Sequence, residues 1–351
     1  MFVIRTIALV LLIVAVSYYT KWKASYRSPY CTPLAIRSPQ YAFVHEAFRR
    51  NNYTMGKFVT HDFGYIPIDY KVKQNVLWNH RPVCSKDTFV ILLYFIGTKD
   101  ITRRNLIRQY LKQDMVADGK KINYMFVVVS EEDDMETRER LMKENDLFDD
   151  LLVSIHKNNY ANVTVTVLDA FLWVRDYCKE AKYVGRIDGD AWVHLGNLVH
   201  YLKGVPLTRF YGGHHMHTTL HRRTNHSGRF YLPADYPIER RMDYNSGGAN
   251  LYSRDVIPYI NIGTQYMDII FHAAEDVMIG EILRRVNITP FGPSKDYVVY
   301  INYPLREHIQ IPFNAILVHN LKKLHLLNEV YTNFSSTYTT PFGGIEKKLV
   351  P

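Results

Sequence analysis

Two aspartates follow a short apolar run near the middle of the chain. Residues 183–193 have the sequence YVGRIDGDAWV, which places Asp188 and Asp190 at positions i and i+2 around a glycine. Carboxylate oxygens at the end of a buried strand suit Mg²⁺ or Mn²⁺, and such an ion can bridge the phosphates of a ligand. The same residues also fit a loop in which both aspartates cap a helix or a turn. The spacing therefore indicates either a metal site or a plain turn.

Two further acidic residues, Glu275 and Asp276, open a predicted helical stretch that runs to Val286. Carboxylates in a first helical turn often only complement the helix dipole. A catalytic role is the alternative for this pair.

A pair of glycines, Gly247 and Gly248, lies among aromatic and polar residues in the segment 243–253. Because glycine lacks a side chain, such a pair favours a backbone that approaches a ligand closely, or a simple turn.

A histidine cluster occupies thirteen residues of the chain and consists of His214, His215, His217, His221 and His226. A zinc site is one interpretation, but the spacing matches no i, i+4 pair on a helix and no cysteine lies nearby. We therefore predict a mobile, polar loop beside an active site.

Strand and helix patterns alternate over the segment that must position these residues. Apolar runs predict buried strands, and amphipathic segments predict the helices between them. The predicted strands cover 88–96, 122–129, 151–155 and 183–187, and the predicted helices cover 101–113, 135–145 and 163–179. This order predicts an α/β fold with a parallel, doubly wound sheet, in which ligands bind beyond the carboxyl ends of the strands.

The composition sets limits on the class of protein. Of the 351 residues, 47% are hydrophobic and 22% are charged, which excludes a largely disordered chain. The net charge of +9 comes from scattered Lys and Arg, so we expect no nucleic-acid partner. Three cysteines are too few for a disulfide scaffold, and no CxxC zinc pair is present.

An apolar segment lies at the beginning of the chain. Residues 2–19 are almost entirely apolar, and Lys21 and Lys23 follow them. A cleaved signal peptide and a buried helix are alternatives, but we expect residues 1–20 to be an uncleaved signal anchor. Residues 21–83 lack a sustained period and are predicted to form a stem or linker. Five Asn-X-Ser/Thr sequons agree with a secretory route, at Asn52, Asn162, Asn225, Asn287 and Asn333.

From about Cys84 to about Val330, several segments in register together resemble the beta-1,3-galactosyltransferase superfamily, which also includes beta-1,3-N-acetylglucosaminyltransferases. The resemblance rests on RRNLIR at 103–108, DDLLVSIHKNNYANVT at 149–164, Cys178 followed by RIDGD at 186–190, YP at 236–237, YNSG at 244–247, EDV at 275–277 with Gly280, and ILVHNL at 316–321. Three positions depart from the family pattern: Gly189 replaces the middle acid, Arg186 replaces a lysine, and Gln109-Tyr110 replaces Thr-Trp.

This resemblance implies a GT-A, Rossmann-like nucleotide-sugar transferase domain over residues 84–345. It implies inverting, Mn²⁺-dependent transfer of galactose or an N-acetylhexosamine from a UDP-sugar to a glycan hydroxyl on a glycoprotein or glycolipid. The implied product is a beta-1,3 linkage, formed by a single-pass type II protein of the Golgi membrane. Two alternatives stay open: a non-catalytic lumenal relative that binds carbohydrate, and a divalent-metal phosphohydrolase.

The resemblance also implies roles for individual residues. Asp190, Asp188 and His319 are expected at the metal, with Asp188 contacting either the ribose or a metal-bound water. Asp276 is the expected general base, and Glu275 is second in line. Contacts with the donor are expected from Arg104, Arg108, Asp188, Asp190, Gly247 and Gly248.

The cysteines allow one structural prediction. Cys84 precedes the first predicted strand, and Cys178 ends the helix before the fourth strand. Both can lie on one side of the sheet, so we predict a Cys84–Cys178 disulfide. Cys31 would be free or would join two chains.

Overall fold

The computed structural model describes residues 41–53, 83–131, 133–156, 158, 162–219, 241–267, 275–291, 301–302 and 311–341. The predicted signal anchor at 1–20 and most of the predicted stem lie outside these residues. Within the described ranges, no helix is both long and apolar enough to span a bilayer.

The chain alternates helices and strands, as the apolar patterning predicts. In chain order the helices and strands are α1 (Ala42–Arg50), β1 (Thr88–Phe95), α2 (Ile101–Tyr110), β2 (Met115–Ala117), β3 (Lys120–Ser130), α3 (Met135–Phe148), β4 (Leu151–Ile155), α4 (Val163–Tyr177), β5 (Tyr183–Asp188), β6 (Trp192–Val193), α5 (Leu195–Lys203), β7 (Tyr211–Thr219), β8 (Arg241–Ser253), α6 (Ile257–Gly263), α7 (Glu275–Arg285), β9 (Ile301–Asn302), β10 (Leu317–His319) and α8 (Leu324–Asn333).

The main sheet has the strand order β2-β3-β1-β5-β8-β7, and β4 also pairs with β3. The four predicted strands β1, β3, β4 and β5 are present and pair in parallel. Their apolar side chains are buried on both faces, as continuous apolar runs predict for parallel strands. This parallel core confirms that part of the prediction.

The sheet as a whole is mixed, which corrects the expectation of a parallel sheet. Strand β8 runs antiparallel to β5, and β7 runs antiparallel to β8. The segment 243–253, read from sequence as a turn or a ligand-binding backbone, is therefore most of a thirteen-residue strand. Its Asp, Asn and Gly residues are poor strand formers, so tertiary packing overrides their local preference here.

The histidine cluster also differs from its prediction. His214, His215 and His217 belong to strand β7 and not to a loop. Histidine has no strong preference for strands. Residues 214–217 form a strand because they pair with β8, and the local sequence does not predict this pairing. His221 and His226 lie outside the described residues.

A second, three-stranded sheet has the order β6-β10-β9. Its strands contain only two or three residues each. Such short segments are too short to show the alternation of apolar and polar residues that predicts a strand. Within it, Leu317 pairs with Val193 and Val318 with Trp192. This pairing brings the end of β10 back beside the loop that follows β5.

The predicted disulfide is present. Cys84 and Cys178 are bonded, with their Cα atoms 5.1 Å apart and a sequence separation of 94. The bond ties the approach to β1 to the end of α4. Cys31 lies outside the described residues.

Part of the segment assigned to the stem is folded against the domain. Helix α1 buries Val44 and Phe48, and the ring of Phe48 stacks on Tyr266 with centroids 4.5 Å apart. His45 Nδ1 lies 2.7 Å from the hydroxyl of the same tyrosine. Residues 42–50 are therefore packed helix, whereas the sequence pattern indicated a linker.

Candidate active site

Two aspartates and one histidine converge beyond the carboxyl end of β5. Asp188 is the last residue of β5, Asp190 follows in the next turn, and His319 ends β10. The His319 Nε2 atom lies 3.3 Å from Asp188 Oδ2 and 3.2 Å from Asp190 Oδ1. One potential ligand atom from each residue lies within 4.8 Å of the others. The structure thus brings together the three residues predicted to bind the metal.

The two carboxylates of this cluster favour a positive charge beside them. Burial alone would lower the pKa of His319, but its contacts with Asp188 and Asp190 outweigh this and raise the pKa to about 9. Burial would likewise raise the pKa of Asp190, yet His319, Arg103 and Lys322 hold it below its usual value. The carboxylates of Asp188 and Asp190 therefore stabilise the positive charge of the His319 imidazole. Two carboxylate oxygens and one imidazole nitrogen suit Mn²⁺, so the donor set fits.

Arg103 joins the two loops that hold these ligands. Its guanidinium donates to the carbonyl oxygens of Gly189 at 3.3 Å, Leu321 at 3.2 Å and Lys322 at 2.6 Å. In addition, the Leu321 amide donates to the Asp190 carbonyl at 2.8 Å. From sequence, Arg104 and Arg108 were the predicted donor contacts, and Arg103 was missed. Arg103 belongs to the RRNLIR motif, but the motif alone does not show which of its arginines contacts the loops.

Gly189 departs from the family pattern for a local packing reason. A Cβ atom at this position would lie 2.6 Å from Ile96 Cγ1 and 3.0 Å from the Phe95 carbonyl oxygen. The Gly189 amide donates to that same carbonyl at 2.9 Å, which fixes the turn against the end of β1. The chain therefore has no space for a third acidic side chain here without a shift of its neighbours.

Arg186 connects the Asp188 cluster with the second pair of acidic residues. Its guanidinium contacts Asp188 Oδ1 at 2.6 Å and Glu275 Oε1 at 2.6 Å, and it donates to the Gly247 carbonyl. The side chains of Arg186 and Glu275 are both buried. Burial raises the pKa of Glu275, and the positive charge of Arg186 opposes that rise. Sequence alone marked Arg186 only as a departure from lysine and did not reveal this bridge.

Asp276 lies in the first turn of α7, facing β8. Its carboxylate accepts hydrogen bonds from the amides of Gly247 at 3.0 Å and Val277 at 2.8 Å. Burial raises the pKa of this carboxyl, while the two amides pull it down less strongly. The side chain remains half-buried and not fully enclosed. Each carboxylate oxygen uses one lone pair for the hydrogen bond from an amide and keeps a second lone pair.

The close approach of α7 to β8 depends on one glycine. A Cβ atom at Gly280 would lie 2.5 Å from Tyr244 Cβ, so only glycine allows this helix–strand distance. Gly247 lies where an added Cβ would be 3.4 Å from Glu275 Oε1, and Gly248 is buried. Of the two glycines predicted to bind the donor, Gly247 therefore lies beside Glu275 and Asp276.

Arg104 and Arg108 belong to a buried ion-pair cluster between α2 and α3. Arg104 contacts Glu144 at 2.6 Å, and Arg108 contacts Glu144 and Asp150 at 2.7 Å each. Arg104 also donates to the carbonyls of Gly97 and Thr98 at the end of β1. These partners give both arginines a structural role, and their contact with a donor stays a prediction.

Replacing Arg104 with alanine is expected to lower the free energy of unfolding by about 3 kcal/mol, because it removes one cation from a buried carboxylate. Denaturant unfolding monitored by circular dichroism measures the change. Arg140→Ala on the exposed side of α3 is the matched control and should shift stability by less than about 0.5 kcal/mol. A variant that keeps its stability but no longer binds UDP would instead place Arg104 at the donor.

Comparison with known proteins shows which family this chain is similar to. The family model described as galactosyltransferase matches residues 102–293, which is more than half of the chain. The chain is 29% identical over 224 residues to lactosylceramide 1,3-N-acetyl-beta-D-glucosaminyltransferase of Xenopus tropicalis, covering 61% of this chain and 59% of that relative. It is 27% identical over 257 residues to beta-1,3-galactosyltransferase 1 of Mus musculus, covering 72% of this chain and 76% of the relative.

The matched region spans about three fifths of the frog relative's length. Among solved structures, the apo form of the bifunctional glycosyltransferase WbbM aligns with a TM-score of 0.32 and 13% identity, over 61% of this chain and 40% of that one. The family match includes α2, the Asp188–Asp190 turn and the start of α7, which contain most of the site described above. The chain therefore belongs to the galactosyltransferase family.

Proposed function

We propose that this protein is a GT-A-type enzyme that transfers a hexose from a UDP-sugar to a glycan hydroxyl with inversion, forming a beta-1,3 linkage. The transferred sugar would be galactose or an N-acetylhexosamine, and the acceptor a glycan on a glycoprotein or glycolipid. The observation that carries the proposal is the convergence of Asp188, Asp190 and His319, joined through Arg186 to Glu275 and Asp276.

The first of these groups would bind a divalent cation, which we propose is Mn²⁺. Its chemistry would be to neutralise the negative charge that develops on the departing diphosphate. Asp190 is held ionised by its neighbours and is the strongest candidate ligand of the three. Arg103 contributes by fixing the Gly189 and Leu321 carbonyls, and with them the loops that present Asp190 and His319.

Asp276 would be the general base that takes the proton of the acceptor hydroxyl. Inversion needs one base on the face opposite the leaving group, and a carboxyl with a raised pKa is better matched to accept a proton near neutral pH. The amides of Gly247 and Val277 fix the orientation of the carboxylate. Glu275 is second in line, but its ion pair with Arg186 engages the Oε1 oxygen.

Arg186 would couple the two halves of the site. Because it contacts Asp188 on one side and Glu275 on the other, it fixes the spacing between the donor side and the acceptor side. Its burial and its contact with the Gly247 carbonyl oppose movement of either carboxylate.

Incubation of the purified chain with a panel of UDP-sugars and candidate glycan acceptors, with and without Mn²⁺, tests the proposal. Transfer that requires Mn²⁺ supports it. Binding of glycan without turnover of any UDP-sugar would favour the non-catalytic relative. Release of phosphate in the absence of an acceptor sugar would favour a phosphohydrolase.

We also propose a type II orientation in the Golgi membrane, with the catalytic domain in the lumen. The apolar segment at residues 2–19 and the sequons support this. Three sequon asparagines, Asn52, Asn287 and Asn333, are exposed in the folded domain. Carbonate extraction combined with glycosidase treatment tests it, and an extractable, unglycosylated product would refute it.

A further inference from the structure

Residues 41–53, which include α1, contact the end of α7 that lies away from Asp276. The guanidinium of Arg285 lies over the ring of Tyr53, with its carbon 4.6 Å from the ring centroid. The Tyr53 hydroxyl accepts a hydrogen bond from Arg284 at 3.3 Å. Both arginines belong to the last turn of α7, whereas Asp276 lies in its first turn. The segment therefore holds α7 at the end opposite the proposed base.

Phe48 of the same segment packs where α6 meets α7. Its side chain is fully buried. A Cβ atom at Gly263 of α6 would lie 2.4 Å from Ile282 Cγ2 and 2.8 Å from Phe48 Cζ, so both side chains pack against this glycine. Phe48 also stacks on Tyr266, whose carbonyl accepts a hydrogen bond from Arg285. The phenyl ring is thus linked to α7 through both of these neighbours.

Helix α7 also contacts strand β8, on the side of the proposed base. Gly280 allows a close contact with Tyr244, and the Gly247 amide donates to Asp276 at 3.0 Å. Two residues turn a helix by about 200°, so Ile282 faces away from β8 and toward α6. Asp276 lies about 9 Å from Ile282 along the helix axis. Because a hydrogen-bonded helix moves as one unit, loss of packing at Ile282 would displace Asp276.

We propose that Phe48 and Tyr53 are positioning residues for the general base, and that they act through α7. They hold the far end of the helix, and the helix fixes the distance between Asp276 and the Gly247 amide. The inference rests on the proposed function, because it concerns the same carboxylate. It adds a segment that lies outside residues 102–293, the region that the family model matches.

Kinetics of Phe48→Ala in the full chain test this inference, at a temperature well below the melting midpoint of the variant. We expect kcat for sugar transfer to fall at least about tenfold, because a small displacement of a catalytic group has a large effect on rate. KM for the UDP-sugar and Mn²⁺-dependent UDP binding should change less than about twofold, because Asp188 and His319 belong to β5 and β10 and not to α7. Phe48→Leu, which keeps an apolar side chain, should restore most of kcat.

Phe89→Ala is the matched control. Phe89 is a buried aromatic residue near the start of β1, and its ring meets that of Tyr183 edge-on with centroids 5.2 Å apart. Since ligands bind at the carboxyl ends of the strands, this position lies at the opposite edge of the sheet. We expect the melting temperature to fall about as much as in Phe48→Ala, with kcat unchanged. An equal loss of kcat in both variants would reduce the role of Phe48 to stability and overturn the inference.

Hydrogen exchange gives a measurement that needs no sugar transfer. The amides of α7 and the Gly247 amide should exchange faster in Phe48→Ala than in the parent, and Phe89→Ala should leave them unchanged. Tyr53→Ala, at a half-buried position, should increase the same exchange and replaces Phe48→Ala if that variant does not fold. An inactive parent would overturn the proposed function. Unchanged exchange of these amides in the folded variants would overturn the positioning role.

Discussion

Asp276→Asn should reduce sugar transfer by about 10²–10⁴-fold, the usual contribution of a general base, while UDP and Mn²⁺ continue to bind. Asparagine is nearly the same size as aspartate but cannot take the proton of the acceptor hydroxyl. A transfer assay beside calorimetry with UDP and Mn²⁺ separates the loss of chemistry from the loss of binding.

The amide contacts of Asp276 predict a second, smaller effect of the same change. Its two oxygens accept hydrogen bonds from the backbone amides of Gly247 and Val277, and asparagine retains only one oxygen. Stability should therefore fall by about 1–3 kcal/mol, the penalty for an unpaired buried polar group, and the assay temperature must lie well below the new midpoint. Glu275→Gln is the companion variant. Transfer by Asp276→Asn near the wild-type rate would exclude Asp276 as the base and move that role to Glu275.

Asp190→Ala should remove Mn²⁺-dependent UDP binding and sugar transfer together, with transfer falling by at least about 10²-fold. The change deletes one of three converging ligands and leaves His319 facing Asp188 alone. Calorimetry with UDP, with and without Mn²⁺, and the transfer assay are the two measurements. The joint loss distinguishes this residue from Asp276, whose replacement should spare binding.

A surface aspartate with a comparable contact provides the control for Asp190. Asp118 lies 3.2 Å from His200, the same distance that separates Asp190 from His319. Asp118 has a left-handed backbone conformation that asparagine also tolerates, so Asp118→Asn should leave transfer and UDP binding intact. Retention of Mn²⁺-dependent UDP binding by Asp190→Ala would contradict the assignment of the metal site.

The parallel core was predictable because strands that are buried on both faces consist of continuous apolar runs. Strands β1, β3, β4 and β5 are apolar runs, and the helices between them have capping residues such as Asp100 and Asp134 at their starts. Strands β7 and β8 contain no continuous apolar run. Their Gly, Asn and His residues resemble loop sequence, and they form strands because β8 pairs with β5 and β7 pairs with β8.

The acidic residues of the site were predictable from type and position, whereas their cationic partners were not. Asp188 and Asp190 follow a buried strand, and that alone suggests a ligand site. Which arginine holds the loops depends on the rotation of α2, and two neighbouring arginines, Arg103 and Arg104, face different partners. The bridge made by Arg186 spans 89 residues of sequence to Glu275, and local patterns contain no information at that range.

The tight contact between Gly189 and Ile96 makes these two positions interdependent. Any side chain at 189 must take space that Ile96 Cγ1 now fills, so the two positions should vary together among relatives, with a smaller residue at 96 wherever 189 carries a side chain. A third carboxylate in this turn would require a smaller residue at position 96. The turn backbone would also have to shift slightly away from the Phe95 carbonyl oxygen. The number of acids in the turn is thus decided just beyond the end of β1, by a residue that contributes no ligand.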